Sequence, residues 1–306
     1  MDYRLHKSVL LQESILMLDI KPTDVVVDAT VGGAGHSSAL ASHLGESGVL
    51  IGLDVDSQAI ESAQETLIGV KPTIHLKVEN FRNLGTVLQG LSIKAADKYL
   101  FDLGWSSIQL ESSGRGLSFQ KDEPLLMTLS DRVTTSTLTA ERIVNEWSEE
   151  QIRTIVHSYG DERFAKRIAE AIVRQREISP IATTKELAEL ILATVPGWYR
   201  NRKTHPATKT FQALRMTVND ELDALQEGLR SAQAHLSTGG RIAVISFHSM
   251  EDRIVKRMFR EWEKEGQGKI LTKKPMTPSR EEQQENPRSR SAKLRIFENN
   301  VTNSIT

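Results

Sequence analysis

The sequence predicts an α/β fold: a parallel sheet with helices on both faces, interrupted by an all-helical insertion. Three observations predict it. Short runs of β-branched and aliphatic residues alternate with helical stretches through the first hundred residues, a block with no convincing strand pattern runs from Leu138 to about Val195, and the alternation returns after Pro206. Strands that alternate with crossover helices pair in parallel, because each crossover lays its helix on a face of the sheet. The chain has 306 residues, more than one ordinary domain, and its 39% hydrophobic and 26% charged content can supply a packed core.

Asp24 to Asp28 reads as a buried strand that enters a glycine-rich turn, Thr30 to Gly35, followed by a helix over about His36 to Leu44. Gly48 to Asp54 is a second strand, and Ser57 is placed to cap a helix that runs to about Leu67. Thr73 to Val78 and, more weakly patterned, Ala96 to Leu103 are the third and fourth strands. In the helical block, Ser148 with Gln151 forms a capping-box signature, Asp161 to Arg176 is a helix stopped by Ser179-Pro180, and Thr183 or Thr184 caps a helix closed by Pro196-Gly197. Pro206 suits the first turn of one long helix, whose stripe runs through Phe211, Leu214, Val218, Leu222, Leu225, Leu229 and Leu236 to a stop at Gly239-Gly240. Arg241 to Phe247 is a fifth strand, Met250 to Trp262 a helix, and Lys269 to Lys273 with Ala292 to Phe297 two further strands. The expected divisions are 1–110 and 204–306 for the sheet domain and 111–203 for the insertion.

No apolar run approaches the roughly 20 residues of a membrane span, and Met1 to Leu11 lacks the apolar core of a signal peptide. These features point to a cytoplasmic protein with no membrane partner. The chain has no cysteine, which excludes disulfides, thiolate metal sites and thiol nucleophiles; no metal is expected. The net charge is -1 but uneven. Trp198 to Arg215 carries a local +5 without an acid, Gly266 to Thr306 carries +4, and the remainder -10. Two basic segments on an acidic body fit a polyanionic partner; the plain alternative is two solvated loops. Lys209 and Arg215 are the candidate anion contacts of the first segment, Arg288 and Arg290 of the second. Lys209 and Arg215 lie six residues apart, about 600° of helical rotation, so both cannot point the same way. The alternative for one of them is an internal pair with an acid. A homodimer is left open.

Backbone N–H groups where a strand turns into a helix attract anionic or polar ligands, because the helix N-terminus is electropositive. Gly33-Ala34-Gly35 permits close backbone approach there, and Asp54 ends the next strand, where a carboxylate accepts hydrogen bonds from ribose hydroxyls. The third position of the glycine pattern is Ser38, which fits NAD less well than S-adenosylmethionine. Asp28 is a candidate carboxylate near the first turn. Phe81 is a candidate adenine wall or equally a core aromatic. The fourth strand ends in Asp102-Leu103-Gly104-Trp105-Ser106-Ser107, which offers a carboxylate, an aromatic face and two hydroxyls to an extruded base. Asp102 and Trp105 are therefore the candidate catalytic residues, with His36 and His248 as alternatives.

From end to end the sequence resembles the bacterial 16S rRNA (cytosine-N4) methyltransferase family. The resemblance is carried by His6 to Leu11, Asp28 to Ser37, Asp102 to Leu110, Arg115 to Phe119, Tyr159 to Phe164, His205 to Arg215, Ser246 to Arg253 and Asn286 to Ser291. It implies a class I S-adenosylmethionine-dependent methyltransferase (Rossmann-like) sheet with an inserted helical domain for substrate recognition. It implies S-adenosylmethionine as donor and a cytidine of 16S rRNA, at the decoding centre of the small ribosomal subunit, as acceptor. The family's cofactor contacts carry over to Ala34, Gly35, His36, Asp54, Phe81, Asp102 and Gln109. Ala34 stands where the family usually has Gly, so its contact is a backbone one. One segment departs: where the family usually reads Pro-Leu-Asp-Met-Arg-Met-Asp, this chain has Pro124-Leu125-Leu126-Met127-Thr128-Leu129-Ser130, expected to border the active site. That change motivates a competing reading, an RNA-binding assembly factor of the same fold that has lost methyl transfer. A third, a methyltransferase for a small molecule or protein, does not need the two basic segments. Methylation at pyrimidine C5 commonly uses a cysteine nucleophile, so its absence favours an exocyclic amine as acceptor.

Overall fold

The computed structural model describes residues 7–104 and 113–301. The chain divides into two compact units, Met1–Ser106 with Leu222–Thr306, and Ser107–Glu221.

The first unit is built on a seven-stranded sheet of order β3-β2-β1-β4-β5-β7-β6. Its strands are β1 Val25–Asp28, β2 Val49–Asp54, β3 Thr73–Val78, β4 Ala96–Asp102, β5 Leu236–Ser246, β6 Gly268–Ile270 and β7 Lys293–Asn299. The first five pair in parallel; β7 runs antiparallel to both β5 and β6. Side chains alternate across the pleat, and the core splits accordingly. Val27, Tyr99, Phe101, Ile242 and Val244 join one apolar layer, while Val26, Leu100, Ala243 and Ile245 join the other. The helices of this unit are α1 Leu11–Leu18, α2 Gly35–His43, α3 Ser57–Thr66 and α4 Leu84–Gly90. α3 is capped by Asp56, whose side chain accepts from Gln58 N; Ser57, expected as the cap, is its first residue.

The second unit is helical: α5 Ala140–Glu146, α6 Glu149–Ser158, α7 Ala165–Ile178, α8 Thr184–Thr194, α9 Gly197–Arg200 and α10 Thr208–Val218. Capping boxes at Ser148/Gln151 and Thr183/Glu186 start α6 and α8. The departing segment Pro124 to Ser130 starts exposed at Pro124 and places Leu125, Met127 and Thr128 in this unit's interior. The single long helix expected after Pro206 is two helices, α10 and α11 (Glu221–Ala234). Asn219 causes the break: its amide donates to Met127 O and Arg215 O and accepts from Leu129 N, and Asp220 turns left-handed at φ +48°. α10, expected with the returning sheet, is therefore part of the helical unit, whose division falls at Glu221. The Gly239-Gly240 pair lies within β5, beside a shift in its register with β4. α12 Ser249–Lys264 and α13 Arg280–Glu285 complete the first unit. Among the described residues no helix is long and apolar enough to cross a membrane.

Candidate active site

Three carboxylates end three neighbouring strands: Asp28 on β1, Asp54 on β2 and Asp102 on β4. The strand order reverses between β1 and β4. Such a reversal opens a crevice beyond the carboxyl ends of the strands, where open α/β sheets bind ligands.

The turn after β1 is held in left-handed backbone, Gly32 at φ +49° and Ala34 at φ +60°. Glycine adopts this freely; in Ala34, fully buried, it costs about 1–2 kcal/mol. Gly35 opens α2, and a Cβ there would meet Ser8 Oγ, so any other residue would need the Ser8 hydroxyl to turn away. Among the described residues no side chain caps α2, which leaves its first N–H groups to a ligand or water.

Asp28 is fully buried and fastens this turn, accepting from Ser37 Oγ at 2.6 Å and Thr30 N at 3.1 Å. Burial raises its pKa against those hydrogen bonds. Asp54 is partly accessible and accepts from Gly32 N at 2.8 Å on one oxygen and Asp56 N at 3.0 Å on the other. Each oxygen keeps a lone pair for a further donor. Loss of hydration pushes its pKa up to about 6, against those two backbone bonds.

His36 is buried, with Nδ1 3.3 Å from Asp102 Oδ2 and Nε2 3.2 Å from Val9 O. A carbonyl and a carboxylate both accept hydrogen bonds, an arrangement that favours the doubly protonated ring. Burial alone would lower the His36 pKa; the hydrogen bond and charge of Asp102, with the charge of Asp28, outweigh it and raise it. The ring is thus occupied, and His36 has its backbone N–H to offer a ligand. Asp102 N donates to Thr30 Oγ1 at 2.8 Å, while its buried Oδ1 has no hydrogen-bond donor among the described residues. Trp105 and Gln109 lie outside the described residues. Phe81 is half-buried, edge-on to Phe101 at 5.6 Å, and packs where Gly228 of α11 lacks a side chain. His248 caps α12 in a box with Glu251, a structural task.

The basic candidates part company. Arg215 is 4% exposed and grips Glu221 through Nε and Nη2, each at 2.7 Å, which leaves it no surface for a polyanion. It is the internal alternative of the pair. Lys209 is half-exposed and ties down the left-handed Asp161, donating to its carbonyl with its carboxylate at 3.7 Å. Arg288 and Arg290 are exposed on the 3-10 turn Pro287–Ser291. A feature that the sequence reasoning missed lies in the helical unit: Arg163, Phe164, Trp198, Tyr199 and Arg202 form one cation–aromatic cluster. Its only linear trace is two aromatics at the head of the +5 segment.

The profile of the MraW methylase family matches residues 3–300. The chain is 43% identical to the ribosomal RNA small subunit methyltransferase H of Brevibacillus brevis, over 96% of this chain and 97% of that protein. It is 43% identical to the protein of that name from Clostridium botulinum strain Kyoto, over 95% and 97%. It is 48% identical to that of Persephonella marina, over 89% and 91%.

Proposed function

Because the chain belongs to the MraW methylase family, we propose that it methylates small-subunit ribosomal RNA, at the exocyclic N4 of a cytidine in the decoding centre of 16S rRNA. The cofactor is S-adenosylmethionine, which when bound supplies an electrophilic methyl group. The residues fit it. Asp54 would take the ribose hydroxyls on its two remaining lone pairs, and the uncapped N-terminus of α2, with the backbone of Ala34, Gly35 and His36, would take the polar tail. Phe81 and Gln109 complete the proposed contacts.

One observation carries the catalytic part: Asp102 Oδ1 is a buried acceptor with no donor among the described residues, at the end of β4 beside the sheet's reversal. A buried carboxylate oxygen without a partner is costly, and an amine N–H satisfies it. Asp102 would orient that amine and disperse the positive charge it develops, while His36 fixes the other carboxylate oxygen. An exocyclic amine needs no nucleophile from the chain, in keeping with the absence of cysteine. Trp105 would stack on the extruded base and offset part of the unstacking cost. Lys209, Arg288 and Arg290 would meet phosphates, and the site of action is the cytoplasm. Undermethylated small subunits incubated with the chain and labelled S-adenosylmethionine test this reading: incorporation into the RNA is expected. Tight binding of subunits and donor without incorporation would replace it with a binding-only assembly factor.

A further inference from the structure

Trp198 is 55% exposed, the largest side chain so presented among the described hydrophobic residues. Its surroundings are built. Tyr199 is buried beside it, with its hydroxyl donating to buried Glu162 Oε2 at 2.6 Å. Burial and that carboxylate push the phenol up to about 12. Phe164 meets both rings edge-on, at 5.9 Å from Trp198 and 4.9 Å from Tyr199. These contacts fix the backbone that carries the indole.

Around this platform stand Arg163, 5.2 Å from the Trp198 ring centre, Arg202 at 5.8 Å, and Arg167 at 5.9 Å from Phe164. Among the described residues none of the three has a carboxylate within 4.0 Å of its guanidinium. Structural arginines normally find an acid, as Arg215 does; these rest on aromatic rings, Arg202 with a hydrogen bond to the Tyr199 side chain, and have further N–H groups to offer an anion. Arg167 also lines a groove of about 490 Å³ between α7 and α8, together with Arg174, Glu170 and the exposed Ile178.

An open indole beside three guanidiniums that have no carboxylate among the described residues matches a ligand that alternates flat π-faces with negative charges. We propose that this surface binds an unpaired, single-stranded stretch of RNA, one base stacking on Trp198 and the flanking phosphates meeting Arg163, Arg167 and Arg202. A duplex does not fit, because its bases are already stacked and offer no free face. The choice of RNA over another polyanion rests on the proposed rRNA methylase activity; the stacking geometry does not.

The test is fluorescence-anisotropy titration of the full chain with a short labelled oligouridylate and with a duplex RNA of equal length. W198A should weaken oligouridylate binding about 10-fold at unchanged salt slope, W198F should restore most of it, and duplex binding should be unmoved. R202Q should reduce the salt slope for the single strand by about 0.7. Calorimetry with S-adenosylmethionine and a thermal melt show that the variants are folded. W198A binding as tightly as wild type, or losing single-strand and duplex affinity equally, overturns the proposal. Wild-type chain that binds the oligomer through Trp198 but methylates no subunit leaves the platform standing and refutes the proposed activity instead.

Discussion

Asp54 and Trp198 occupy surroundings that differ in almost every physical respect. At Asp54 each oxygen accepts from a backbone N–H, hydration is reduced and the pKa is displaced to about 6. At Trp198 the ring is half in solvent and the nearby guanidiniums have no carboxylate partner among the described residues. The first arrangement is preorganised: it bears the cost of desolvation in advance and suits a small ligand of fixed shape. The second retains hydration and side-chain freedom, and suits a flexible polyanion whose hold weakens with salt. The difference teaches that charge alone does not mark a binding surface here. How a charge is partnered decides what it can do.

Arg215 offers the sharpest way to break that contrast, since it is a cation of the basic segment that obeys the rules of the buried site. Arg215→Ala breaks the ion pair between buried Arg215 and part-buried Glu221 and should destabilise the helical unit by about 3–5 kcal/mol in a denaturant titration. Next in size, Asp102→Asn keeps the shape of the β4 terminus but removes the charge that faces His36 and that the proposed mechanism uses to hold the acceptor amine. It should lower kcat for methyl transfer roughly 10²–10³-fold, read under saturating donor.

Asp54→Ala should weaken donor binding by on the order of 1.5–3 kcal/mol in calorimetry while the fold survives. Wild-type donor affinity should also fall as pH drops through about 6, where Asp54 takes up a proton, approaching 10-fold per pH unit below that point; Asp54→Asn should abolish this dependence. For stability the sign is reversed. A carboxyl whose folded pKa exceeds its ordinary 3.8 stabilises the fold in its protonated form, so that contribution is complete below 3.8 and is lost as pH rises through about 6. The smallest effect belongs to Arg202→Ala, which should leave unfolding free energy within about 0.5 kcal/mol of wild type. A loss as large as that of Arg215→Ala would erase the distinction between the two kinds of arginine.

Much of this was legible in the linear chain. Val25 to Val27 and Val49 to Leu53 are short aliphatic runs bounded by turn residues, which suit a doubly covered parallel strand, and the acids that end them, Asp28 and Asp54, were readable as candidates for the site. What was hidden depended on contacts between distant segments. The continuous apolar stripe across Val218 and Leu222 spoke for one helix, and nothing local revealed that Asn219 would spend its amide on Met127 and Leu129. That break also concealed the partner of Arg215. In an unbroken helix Glu221, six residues on, faces away from Arg215; the left-handed Asp220 brings it back to 2.7 Å. The His36–Asp102 pair was equally silent, since it joins the first turn of α2 to the end of β4. Trp198 stood in a segment noticed for its charge, but the arginine that completes its cage, Arg163, lies on the far side of two helices in the sequence.

The central claim is that the row of strand-end carboxylates serves methyl transfer to an exocyclic amine. The most direct measurement is mass spectrometry of nucleosides digested from small-subunit RNA that the purified chain has methylated with labelled donor. The account predicts the label in N4-methylcytidine, and its disappearance with Asp102→Asn. Label on cytosine C5 or on ribose would contradict it, as would full N4 methylation by the Asp102→Asn variant.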